Sequence, residues 1–63
     1  MITQFTYTLP PEKLLVGDMF ASDHSIITEV WHDPEGVWVV IDDYADAGYL
    51  TGKKYRIIRE FID

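Results

Sequence analysis

The sequence predicts an all-β fold of five or six short strands, arranged as a small barrel or a strongly bent antiparallel sheet. Three observations lead there. Turn-forming residues recur at short intervals and divide the chain into brief runs rich in β-branched and aromatic residues. The first run alternates strictly, with Phe5, Tyr7 and Leu9 between Gln4, Thr6 and Thr8, which is the period-2 pattern of a half-buried strand. Two further β-rich runs flank Asp33-Pro34-Glu35-Gly36, a hairpin signal. With 63 residues there is room for one domain, spanning 1–63. Such a chain buries only roughly 60% of its unfolded surface, and it has no cysteine to staple it. Strands this short in a chain this small favour a barrel or bent sheet over a two-layer sandwich.

The elements follow in order. Pro10-Pro11 ends the first run, because neither proline can donate to a ladder. Glu12-Lys13-Leu14-Leu15 is long enough for one helical turn and no more. Val16-Gly17-Asp18 turns into a second strand at Met19-Phe20-Ala21, and Ser22-Asp23-His24-Ser25 reads as another turn. The hairpin covers residues 26–42. Pro34 suits the first central turn position, and Gly36 supplies the positive φ of a three-residue loop with a bulge. A polar connection at 42–48 leads to an extended Tyr49-Leu50-Thr51, a turn at Gly52-Lys53 and a closing strand at 54–58. Arg59-Glu60-Phe61-Ile62-Asp63 prolongs that strand.

The order Leu15-Val16-Gly17-Asp18-Met19-Phe20, then a turn, then the hairpin carrying Trp31 and Trp38, then Gly52 and a closing strand, resembles a small SH3-like barrel over residues 14–60. That class includes Tudor and KOW barrels and many phage-encoded ones. The resemblance implies a fold and assigns no functional residue. A phage-type origin follows only by the same analogy.

Charge narrows the partners. The chain has 11 acidic and 5 basic residues, for a net −6. Residues 1–46 hold nine Asp or Glu against Lys13 alone, whereas the last stretch sets Lys53, Lys54, Arg56 and Arg59 against Glu60 and Asp63. The acidic field repels nucleic-acid phosphates and anionic membranes and attracts basic protein surfaces. No apolar run reaches the 18 or so residues that cross a bilayer. The opening residues lack signal-peptide character. The expectation is therefore a cytoplasmic protein with no membrane and no direct nucleic-acid contact. If phage-encoded, it would act in the host cytoplasm.

Catalytic chemistry finds no support. Ser22 and Ser25 flank Asp23-His24, but four adjacent residues in a turn do not build a triad, and no other nucleophile–base pair stands out. Neither a cofactor nor a metal site is expected. Asp42, Asp43 and Asp46 lack the alternating ligand spacing of a calcium loop. His24, His32 and Asp33 would need two hairpin ends to meet.

The aromatic residues point to binding. In the bulged register, His32 lies opposite Trp38 and Val30 opposite Val40. Ile27, Glu29, Trp31, Val37, Val39 and Ile41 then face inward, and Trp38 faces out near His32 and Asp42. A regular four-residue loop without the bulge instead pairs Trp31 with Trp38 and turns both outward. The expected partner-binding set is Trp38, His32, Asp33, Glu35, Asp42, Asp43, Tyr44 and Asp46. Its acids are suited to a basic surface of a larger protein, and occupying a nucleic-acid-binding surface would make the chain an inhibitor that imitates phosphate. The alternatives are a structural module joining copies of itself into a homo-oligomer, and a small-ligand or modified-peptide binder with Trp38 and Tyr44 in an aromatic cage.

Overall fold

The computed structural model describes residues 1–62. It is all-β apart from one short 3₁₀ turn. Strand β1 is Ile2–Leu9, β2 Met19–Phe20, β3 Ile27–Asp33, β4 Gly36–Ile41, β5 Asp46–Leu50 and β6 Tyr55–Ile62, with the 3₁₀ turn at Pro11–Lys13. No helix is long and apolar enough to cross a membrane.

The strands form two three-stranded antiparallel sheets, in the orders β1-β6-β2 and β3-β4-β5. A closed barrel was one of the two expected arrangements, and the structure corrects it. β2 has only two residues, so the seam between the sheets shrinks to the single Met19–Ile26 bridge and the backbone bonds around it. At the far side, β1 and β5 do not pair, which leaves an edge on each sheet. β5 starts at Asp46, so Asp46, Ala47 and Gly48 belong to a strand rather than to the expected polar connection. The closing strand runs on as far as Ile62; the expected extension through Asp63 lies outside the described residues.

The period-2 patterns explain the core. Leu14, Phe20, Ile27, Val37, Val39 and Ile57 are buried, and Tyr7, Leu9, Val30, Ile41, Leu50 and Tyr55 pack against them. Both sheets contribute, so each three-stranded sheet buries its inner face on the other's side chains. The 3₁₀ turn begins at Pro11, where a missing N–H costs no bond, and carries Leu14 into this cluster.

The β3–β4 hairpin departs from the expected register. Trp31 pairs with Trp38, His32 with Val37 and Asp33 with Gly36, so the loop is only Pro34-Glu35. Asp33 Oδ1 accepts the Glu35 N–H at 2.9 Å and tightens this turn. Gly36 has a positive φ, as expected, but at +140° it lies far from the left-handed value near +57° that a bulged loop uses. The irregularity sits instead between Ile27 and Glu29, at the other end of the hairpin. The slip of one position turns Trp31 from the inner face to the outer one, where it is 59% exposed.

A second constraint ties the sheets together. Asp18 is 1% exposed. Its Oδ1 accepts Arg59 Nε at 2.9 Å, and its Oδ2 accepts Arg59 Nη2 at 2.8 Å and the Leu15 N–H at 2.9 Å. Its backbone carbonyl accepts the Ile27 N–H. Arg59 also donates to the Lys13 carbonyl and lies 5.3 Å from the Tyr7 ring centroid. Hydrogen bonding to Asp18 pushes the Arg59 guanidinium still higher than usual.

Two stability outcomes follow. Asp18→Ala strands the Arg59 cation and the Leu15 N–H. The urea midpoint should drop by the equivalent of about 3 kcal/mol, which is a large part of the stability of so short a chain. Adding Arg59→Met to that variant should restore part of the loss. Gly36→Val should cost roughly 2 kcal/mol for the disfavoured backbone alone, because a Cβ there meets nothing closer than Tyr49 Cδ1 at 3.8 Å. Urea denaturation reads both; an unchanged midpoint in either variant removes the corresponding constraint.

Candidate functional site

The register places three aromatic side chains in one row across the outer face of β3-β4-β5. Trp31 on β3 is opposite Trp38 on β4, and Trp38 is opposite Tyr49 on β5. Residues directly opposite one another share a face and lie close enough for their side chains to touch. Trp38 and Tyr49 meet edge to face, with ring centroids 5.1 Å apart. Trp31 and Tyr49 are exposed and Trp38 is half-buried between them.

Acidic groups fringe the row. Glu29 and Asp33 alternate with Trp31 along β3 and so share its face. Asp33 Oδ2 accepts the Tyr49 hydroxyl at 2.8 Å, which joins the hairpin tip to β5. That bond holds the Tyr49 phenol above its ordinary pKa. Tyr44 is likewise raised, chiefly by the neighbouring Glu29 carboxylate. Residues 27–50 contain six carboxylates (Glu29, Asp33, Glu35, Asp42, Asp43 and Asp46) and neither Lys nor Arg. This sheet with its loops therefore carries a charge equal to the whole net charge of the chain.

The β4–β5 loop is held in an unusual conformation. Asp42, Asp43 and Tyr44 have φ of 49°, 52° and 77°, three left-handed residues in succession. Such geometry persists only where its surroundings over-determine it. Asp42 supplies that restraint. Its N–H donates to the Ile26 carbonyl at 2.8 Å, and its Oδ1 accepts the Ile26 N–H at 2.9 Å. The Asp43 N–H donates to Thr28 Oγ1 at 3.2 Å. The result brings Tyr44, 70% exposed, toward Glu29 at the border of the aromatic row.

The residues singled out from sequence therefore separate. Trp38, Asp33 and Tyr44 converge on the outer face of this sheet. Glu35 sits exposed at the hairpin tip, and Asp43 and Asp46 are exposed around the opposite end. Asp42 is exposed too, but its side chain anchors the loop. His32 pairs with Val37 and thus shares the inner face of the hairpin, not the face of Trp38. Trp31, Tyr49 and Glu29 complete the row without having been singled out. Only the unbulged register shows Trp31 as their neighbour, and the Tyr49 contact depends on a strand pairing that no local pattern specifies.

The other motifs resolve into local structure. Asp23 Oδ1 accepts both the N–H and the hydroxyl of Ser25, at 3.0 and 2.6 Å, which holds its carboxyl below the ordinary range. Asp23 thus serves the turn, and His24 takes a left-handed φ of 63° within it. Among the described residues, no group of three or more His, Asp or Glu side chains is placed to hold a metal ion. Lys53 and Lys54 lie in the connection from β5 to β6, and Arg56 lies on β6. They line a groove of about 330 Å³ with Phe20, Ala21, Ser22 and Tyr55.

No family model, curated protein or solved structure matches this chain.

Ionisation of the two tyrosines reports that geometry. In a spectroscopic alkaline titration, Tyr44 and Tyr49 should ionise later than free tyrosine. Glu29→Gln should return Tyr44 toward the ordinary value and leave Tyr49 unchanged. For a phenol whose pKa is raised by folding, the stabilisation is present below the unfolded value and disappears as pH rises through the folded one. Hence Glu29→Gln should remove part of the pH dependence of stability above about pH 10. Identical titration curves for the variant and the parent protein would dissolve the Tyr44–Glu29 contact.

Proposed function

We propose that this chain is a non-catalytic protein-binding factor that docks the outer face of β3-β4-β5 on a basic surface of a larger protein. The observation that carries this reading is the row Trp31–Trp38–Tyr49, set in a sheet that with its loops bears six carboxylates and no cation. Exposed aromatic rings supply contact area with little rotamer entropy to lose, and they attract guanidinium and ammonium groups through their faces. Carboxylates around them accelerate encounter with a cationic partner and form charge-assisted bonds on contact. Polyanions are repelled by the same surface. Where the partner's basic surface normally binds nucleic acid, occupation by this chain would block it. The SH3-like resemblance, the phage-type origin and the host-cytoplasmic setting belong to this reading as analogies.

An arginine-rich peptide of about ten residues, free of acids and aromatics, is a direct probe. Its titration should change the tryptophan fluorescence saturably, with an affinity that falls as salt rises. The double variant Trp31→Ala, Trp38→Ala should weaken binding about tenfold or more, with the β-sheet circular dichroism retained. Glu35→Gln, Asp43→Asn and Asp46→Asn together should slow association and flatten its salt dependence. Asn suits the left-handed conformation at 43, and at 46 it can still accept the Ala47 N–H. Binding that survives loss of both tryptophans, or that ignores salt, would assign the face no role.

A further inference from the structure

Strand β1 is an unguarded edge. It pairs along its whole length with β6, from Ile2↔Ile62 to Leu9↔Tyr55, and no strand pairs with its other side among the described residues. Natural edge strands are protected by short length, charge, proline or a bulge. β1 has eight residues, ITQFTYTL, with no charge, no proline, no glycine and no shift in register. The opposite edge of the molecule, β5, is shorter and carries Asp46 and Gly48. β1 also leaves two large apolar side chains in the open, among the uncharged Gln4, Thr6 and Thr8. Ile2 is 59% and Phe5 49% exposed, and Phe5 packs on the exposed Phe61 of β6 with ring centroids 5.5 Å apart.

Charge selects the occupant. The carboxylates of residues 27–50 make most approaches between two copies repulsive. The described β1–β6 ribbon carries Arg56 and Arg59 against Glu60 only. Two copies can therefore meet along β1 without opposing like charges. We infer that β1 is the interface of a two-fold homodimer, in which β1 of one copy pairs antiparallel with β1 of the other to join the two β1-β6-β2 sheets into one six-stranded sheet.

Symmetry restricts the register. A two-fold axis normal to the sheet keeps each side chain on its own face, so directly opposite residues must differ by an even number or be the same residue. The registers that use most of β1 centre on Phe5 or on Thr6. Centring on Phe5 pairs residues 2–8 and brings Phe5 against its symmetry mate, which extends the Phe5–Phe61 contact into a cluster of four rings. Centring on Thr6 would leave the exposed Ile2 unpaired and would not bring Phe5 against its mate. The Phe5-centred register is the interface. It lies on the sheet that does not hold the aromatic row, so it stands independently of the binding function proposed above.

The chain has no cysteine, which makes cross-linking clean. Opposite residues of an antiparallel pair have Cα atoms about 4.5–5.5 Å apart, within the span of a disulfide. In the Phe5-centred register, Thr6 and its symmetry mate are offset by two residues, and their Cα atoms are more than about 7 Å apart. With diamide as oxidant, Phe5→Cys should give a covalent dimer, and Thr6→Cys should give none. Sedimentation of the unmodified chain should show twice the 7.3 kDa monomer mass. Phe5→Lys, which sets two cations opposite each other, should sediment as a monomer with unchanged circular dichroism and unchanged affinity for the arginine-rich peptide. If Phe5→Lys perturbs the fold, the double variant Gln4→Lys, Thr6→Lys supplies the same test from the other face, because residues 4 and 6 of the two copies lie opposite each other in this register. A monomer at all concentrations up to about 1 mM, a dimer that persists in both lysine variants, open-ended oligomers, or cross-linking through Thr6→Cys in place of Phe5→Cys would each overturn the inference.

Discussion

The rest of the structure depends on the buried Asp18–Arg59 pair. Asp18 uses both carboxylate oxygens and its backbone carbonyl, and through them it joins the turn after the 3₁₀ segment, the closing strand β6 and the first residue of β3. Those contacts compensate for a β2 too short to make a continuous ladder between the sheets. A buried ion pair is a costly way to stabilise a protein, since both ions lose water. Its value here is geometric: a fork of two parallel hydrogen bonds sets where β6 lies relative to Asp18 far more narrowly than apolar contact does. Tyr7 under the guanidinium and Leu14 beside the turn fill the space around it.

The two sheets differ in chemistry as well as in position. β3-β4-β5, with its loops, holds an exposed aromatic row and six carboxylates with no cation, whereas four of the five cations lie between Lys53 and Arg59. In a chain of 63 residues every exposed tryptophan removes apolar area from a small core. Keeping Trp31 outside while valines fill the interior is consistent with a face kept for contact. The strained loop at Asp42, Asp43 and Tyr44 fits the same picture: it gives up backbone comfort and brings Tyr44 to the border of that face. Recognition on one sheet and self-pairing on the other would let one small chain present two binding faces at once.

Much of the architecture was legible. The alternation around Phe5, Tyr7 and Leu9 marked β1, Pro10-Pro11 marked its end, and Asp33-Pro34-Glu35-Gly36 marked the hairpin, because each signal acts over a few neighbouring residues. The hairpin register was not legible. Loops with and without the bulge fit the same four residues, and the choice between them moves the side chains from Glu29 to Asp33 to the other face, while the irregularity between Ile27 and Glu29 keeps Ile27 buried. The inner positions of β4 were unaffected, since Val37 and Val39 face inward in both registers. Trp31 and His32 exchanged sides, which is why the site gained one and lost the other.

The sequence by itself determined an all-β chain, where most of its strands begin and end, and its acidic balance. All of these rest on local sterics, the period of two along a strand, or a sum of charges. Only the tertiary structure decided that six strands form two sheets and not a closed barrel, that Asp18 meets Arg59, and that Trp31, Trp38 and Tyr49 stand in one row. Each of those joins residues from separate strands, with a pairing set by how a whole sheet settles on the core. Asp42 shows the boundary most clearly. As a letter it is one more acid in an acidic loop, and its role follows from an Ile26 backbone that lies sixteen positions away in sequence and 2.9 Å away in space.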